Sequence, residues 1–83
     1  MEITVKITNG KKDGEFAVLF KNGRKLLGRT QRGRDGMWYN YQKGFSFSAS
    51  KTLDRAVDIM KEYITNVLDP FGTRTIKFEQ PEE

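Results

Sequence analysis

Residues 45–68 read FSFSASKTLDRAVDIMKEYITNVL, and the change of period inside this stretch decides the fold. Phe45 and Phe47 alternate with Ser46 and Ser48, the two-residue repeat of a strand with unlike faces. From Leu53 onward, Leu53, Ala56, Val57, Met60, Ile64, Val67 and Leu68 recur at helical spacing, with Asp54, Arg55, Asp58, Lys61, Glu62 and Asn66 opposite. The reading is a strand over 45–48 followed by an amphipathic helix over 51–68. Ser50 is the expected N-cap, because its hydroxyl can accept from the free amides of the first turn. Asp69-Pro70 and Gly72 end the helix.

Upstream the period is two. Residues 2–8 (EITVKIT) alternate Ile3, Val5 and Ile7 against polar partners, so one face is wet. A polar stretch from Asn9 to Gly14 is long enough for a hairpin loop. Residues 15–20 (EFAVLF) are apolar on both faces and read as a central strand. Lys21-Asn22-Gly23-Arg24 is the strongest turn signal, with Asn-Gly expected to supply two positive-φ residues. Strands are predicted over 25–31, with Gly28 marking a bulge or close approach, and over 37–41. RGRDG, residues 32–36, is expected to be a flexible basic loop, and Lys43-Gly44 joins the fourth strand to the fifth. After the helix, residues 73–79 (TRTIKFE) alternate as a last strand, and the acidic tail 80–83 is expected to fray. The fold class is therefore α+β, one domain over 1–83. Its order is β-β-β-β-β-α-β, an antiparallel sheet of five to six strands on one helix.

Composition narrows function. Eighty-three residues leave room for one core layer and none for a deep substrate cavity. With no Cys and no His there is no disulfide, zinc knuckle, Cys nucleophile or His base. Ser46, Ser48 and Ser50 lack an activating base. Asp13, Glu15 and Asp35 fall without metal-motif spacing, and Gly33-Arg34-Asp35-Gly36 lacks the ending of a phosphate loop. No catalysis, metal or cofactor is expected. No signal peptide or membrane-length apolar run is visible, so the expected location is cytoplasmic, or the host cytoplasm for a phage-encoded chain.

The formal charge of +4 is unevenly placed. Residues 21–43 hold seven basic groups (Lys21, Arg24, Lys25, Arg29, Arg32, Arg34, Lys43) against Asp35 alone. Solvation by itself puts charge in loops, but four of the seven are Arg, which pairs bidentately with phosphate and stacks on bases. The same stretch carries Trp38 and Asn40 on one strand face and Met37, Tyr39 and Tyr41 on the other. If Phe45 and Phe47 meet the helix, one of these sets lies on the uncovered side. Basic loops around exposed aromatics are the general solution for holding single strands, because every base has a face to stack.

The run Lys43-Gly44-Phe45-Ser46-Phe47-Ser48 leading into a helix resembles the signature of the transcriptional positive cofactor four family of single-stranded DNA binders, which has relatives in bacteria and phages. The resemblance covers about residues 15–66, and only that run is specific. It implies a curved sheet, a homodimer formed through the helix, and a strand-binding face lined by Lys43, Trp38, Arg29 and Arg32. The extra first and last strands and the short 42–45 connection depart from the family pattern.

The functional expectation is non-catalytic binding of single-stranded DNA or RNA. Trp38, Tyr39 and Tyr41 would stack bases, and Arg24, Lys25, Arg29, Arg32, Arg34 and Lys43 would neutralise phosphates. Two other readings suit the same residues. Residues 24–64 are similar to the arm-binding domains of tyrosine integrases, which insert a basic sheet into duplex DNA. Alternatively, Trp38, Tyr39, Tyr41 and Arg34 would anchor a protein partner, as in a small phage-type modulator of a host enzyme.

Overall fold

The computed structural model describes residues 2–9 and 16–80. The polar connection expected over 9–14 lies outside the described residues apart from Asn9, as does the acidic tail apart from Gln80. Five strands, β1 (Glu2–Asn9), β2 (Phe16–Asn22), β3 (Lys25–Arg32), β4 (Trp38–Gln42) and β5 (Phe45–Ser50), precede one helix, α1 (Leu53–Leu68), and a short strand, β6 (Lys77–Glu79). The architecture is α+β, an open six-stranded sheet in the order β5-β4-β3-β2-β1-β6. Strands β1 to β5 form an antiparallel meander. The helix then returns the chain to the far edge, where β6 pairs with β1 in parallel. The sheet is thus mixed, which corrects the expectation of a wholly antiparallel one.

The helix lies on one face. Ala56, Met60 and Ile64 are buried at intervals of four, and Met60 and Ile64 form one core cluster with Ile3, Val5, Val18 and Phe20 from β1 and β2. Gly28 allows this approach. A Cβ there would sit 2.7 Å from the sulfur of buried Met60, and the register of β2 on β3 slips beside it, between Phe20 and Lys21. A polar cluster substitutes for apolar packing over β4. Asn40 is fully buried and donates from Nδ2 to the Ala56 carbonyl (2.8 Å) and to Ser48 Oγ (2.9 Å), while Thr30 donates its hydroxyl to Asn40 Oδ1.

Three element ends differ from the sequence reading. The N-cap is Thr52, not Ser50: Thr52 is extended and its hydroxyl accepts from the Arg55 amide (3.3 Å). Ser50 still belongs to β5, opposite Trp38, with its buried hydroxyl unpartnered. Both residues are good caps, and the longer strand pairing selects the second. Asn22 belongs to β2 and pairs with Lys25, so Gly23 and Arg24 are the central turn residues, with only Gly23 at positive φ (+62°). The turn with two positive φ values is Lys43 (+52°) and Gly44 (+84°), as a type I′ hairpin requires. Finally, the last strand begins at Lys77 rather than 73. The Asp69 carboxylate accepts from the amides of Thr73 (2.7 Å) and Arg74 (2.9 Å), which holds this segment in a loop.

Candidate nucleic-acid interface

Register decides which side chains share the uncovered face. Ile3, Val5, Val18 and Phe20 point to the helix, so Thr4, Lys6, Leu19 and Lys21 point away. Cross-strand pairs carry that face onward, from Lys6 to Leu19, Leu19 to Arg29 and Arg29 to Tyr41, with Gln31 opposite Tyr39. At its centre the Arg29 guanidinium stands 4.8 Å from the ring centroid of Tyr41, and the rings of Tyr39 and Tyr41 lie 6.5 Å apart. Both tyrosines are half-buried and Arg29 is exposed. Cation–π contact holds the guanidinium over the ring without consuming its charge.

Trp38 is elsewhere. It pairs with Arg32 and with buried Ser50, and it shares the helix side with Asn40. It is half-buried, and alternation keeps it from joining Tyr39 and Tyr41 in one platform. Phe47 also moves. A register shift between Asn40 and Tyr41 makes Phe47 the extra residue of a β-bulge, and its ring meets Tyr63 of the helix at 4.6 Å. Phe45, which shares the alternation of Phe47 in the sequence, is instead 77% exposed.

The remaining basic residues divide between the two ends of the sheet. Arg24 and Lys25 at the β2–β3 turn and Lys43 at the β4–β5 turn share one end, about 10 Å apart at ordinary strand spacing. Arg32, the last residue of β3, and Arg34 in the β3–β4 connection stand at the other, about 23 Å along β3. All five are exposed. The sequence reading missed Lys6 and Gln31 and counted Lys21 in the basic stretch without placing it at the site; all three join the uncovered face only once the strands are paired in register. The alternation of β1 held that signal.

The β3–β4 connection, expected to be flexible, is closed by hydrogen bonds. The Gly33 amide donates to the Met37 carbonyl (2.8 Å), the Met37 amide donates to Asp35 Oδ1 (2.9 Å), and the Tyr39 hydroxyl donates to Asp35 Oδ2. That phenolic bond holds the Asp35 carboxyl below the ordinary range, with help from the Met37 amide, and pushes the Tyr39 hydroxyl above its ordinary value. Gly33 leaves the space required, since a Cβ there would lie 2.6 Å from the Tyr39 ring. Asp35 therefore orients Tyr39. Asp13 and Glu15 lie outside the described residues.

No family model, no curated protein and no solved structure matches this chain. Among the described residues, no helix is long and apolar enough to cross a membrane.

Proposed function

We propose that the chain binds single-stranded nucleic acid on the sheet face opposite the helix, with Tyr41 and Tyr39 as the stacking platform. The carrying observation is the Arg29–Tyr41 pair at the centre of an uncovered face that also holds Lys6 and Lys21. Base stacking on an aromatic ring contributes about 1–3 kcal/mol per base and tolerates any base. Arg29 lies close enough to contribute both a stacking plane and a phosphate contact. Lys43 and Arg24 at one end, and Arg32 and Arg34 at the other, would hold the backbone where it leaves the platform. The Lys43–Ser48 likeness to the positive cofactor four family supports the same reading, with Tyr41 taking the stacking role in place of Trp38.

The test is anisotropy of a labelled single strand of about 12 nucleotides, against the matching duplex, at about 50 and 200 mM salt. Tighter binding to the single strand, weakened by salt, is expected. Tyr41→Ala should weaken it by about 1–3 kcal/mol, roughly 5- to 150-fold, and Trp38→Ala by much less. A preference for duplex would transfer the reading to the integrase-like mode, and no binding at low salt would end it.

A further inference from the structure

A groove of about 430 Å³ runs between the C-terminal half of α1 and the hairpin ends of β3 and β4. Ligand clefts commonly measure about 300–1,000 Å³. The helix supplies an apolar wall of Tyr63, Ile64, Val67 and Leu68, to which β3 adds Leu27. Tyr63 is half-buried, and its ring is braced by Phe47 at 4.6 Å between centroids. Val67 is 58% exposed and Leu26, which also lines the groove, 50%, so this apolar surface lies open to water.

Charge selects what could fill it. Lys25, Arg29 and Lys43 line the groove, and among the described residues no Asp or Glu does. The carbonyl end of α1, worth about half a negative charge, lies at Leu68, and three cations outweigh it. The Asp69 carboxylate that follows is turned to the amides of Thr73 and Arg74. An apolar side chain of a protein partner would leave the cations unanswered. A nucleotide brings a flat ring and a phosphate together. Gln42 lines the groove as well, and alternation along β4 puts it on the helix side with Asn40. Its amide, both donor and acceptor, has no hydrogen bond among the described residues and suits the edge of a base.

The groove is continuous with the proposed platform. Arg29 and Tyr41 belong to both, so the groove opens where the sheet ends. Lys43 follows Tyr41 by two residues, about 7 Å at strand rise. A strand leaving the platform over the β4–β5 turn therefore meets the groove next. Bases turned out of their stack are held against aromatic and apolar side chains elsewhere in nucleic-acid recognition.

We propose that the groove takes one base of the bound strand, unstacked beyond Tyr41 and lodged against Tyr63, with its phosphate between Lys25 and Lys43. The proposal rests on the reading of the Tyr39–Tyr41 face as a single-strand platform, and it adds a base-sized subsite on the helix side of the same hairpin ends.

Photo-cross-linking tests it. A single strand of about 12 nucleotides, with 4-thiothymidine at every position, is irradiated on the full chain and the adducts are mapped by mass spectrometry. Adducts are expected at Tyr63 as well as at Tyr39 and Tyr41. Val67→Glu should abolish the Tyr63 adduct, keep the Tyr41 adduct and weaken affinity about fivefold or more. Asn66→Glu adds the same charge at an exposed position outside the groove, and it should leave the Tyr63 adduct and most of the affinity intact. Adducts confined to Tyr39 and Tyr41 would overturn the subsite and leave the platform standing. Equal losses from V67E and N66E would reduce the effect to charge and overturn it too. A wild-type chain that binds no strand at low salt would remove the platform reading itself, and this proposal with it.

Discussion

At the scale of single residues, Lys43 and the Asp35–Tyr39 pair show side chains serving backbone and surface at once. Lys43 is the one non-glycine residue at positive φ among the described residues. The left-handed conformation costs an ordinary L-residue roughly 1–2 kcal/mol, whereas Asn adopts it readily. Lys43→Asn should therefore stabilise the domain by about 0.5 kcal/mol, or about 2–4 °C in melting temperature. The same substitution removes a cation from the hairpin end and should weaken nucleic-acid affinity. Opposite signs in the melt and in the titration would separate the two roles, and a loss in both would disprove the backbone account. The Asp35–Tyr39 bond has two limits in pH. Asp35 titrates below its unfolded value, so its contribution is present above that value and is lost as pH falls through the depressed folded one. Tyr39 titrates above its unfolded value, so its contribution is present below that value and is lost as pH rises through the raised one. Stability of wild type relative to Asp35→Asn should accordingly be flat between about pH 5 and 9 and should shrink at both extremes. A difference constant from acid to alkali would show that this bond contributes nothing to folding.

At the scale of elements, Asn40 joins three of them. It fastens β4 to the helix through the Ala56 carbonyl, to β5 through Ser48 and to β3 through Thr30. Asn40→Leu keeps approximate volume but strands the buried Thr30 hydroxyl, at about 1–3 kcal/mol for an unsatisfied group, and removes the partner of half-buried Ser48. A loss of about 2–4 kcal/mol in denaturant midpoint analysis is expected. Ser50→Ala, by contrast, removes a buried hydroxyl without a partner and should be neutral or stabilising. If both substitutions cost the same, the network has no special weight. This cluster also marks where sequence reading stops. The helix, the five meander strands and the role of Gly28 were legible, because hydrophobic period and turn residues are local signals. That Tyr39 and Tyr41 lie uncovered while Asn40 lies beneath the helix was not, since both sets alternate equally well and only tertiary pairing chooses between them. Phe45 and Phe47 looked equivalent for the same reason, until a one-residue bulge separated them. The parallel direction of β6 depends on how far the helix carries the chain across the sheet, and no residue in 73–79 encodes that distance.

For the molecule as a whole, the placement of charge leads to a prediction that a single-residue view would miss. The helix side carries Asp54, Asp58 and Glu62 among its exposed residues, whereas the opposite face between β1 and β4 carries Lys6, Lys21 and Arg29. Each phosphate neutralised on a single strand contributes about 0.7 to the slope of log affinity against log salt. If the strand lies across the uncovered face, Lys6→Ala and Lys21→Ala should each flatten that slope by about 0.7, although Lys6 lies outside the basic 21–43 stretch. Arg55→Ala and Lys61→Ala, on the helix, should leave it unchanged. If instead the strand follows the loops alone, only Arg24, Arg32, Arg34 and Lys43 would move the slope, and Lys6 and Lys21 would be silent. A helix-side substitution that flattened the slope as much as Lys21→Ala would place the nucleic acid on the wrong face for the Tyr39–Tyr41 platform. Measured together, these slopes map the path of the strand over the sheet without a structure of the complex.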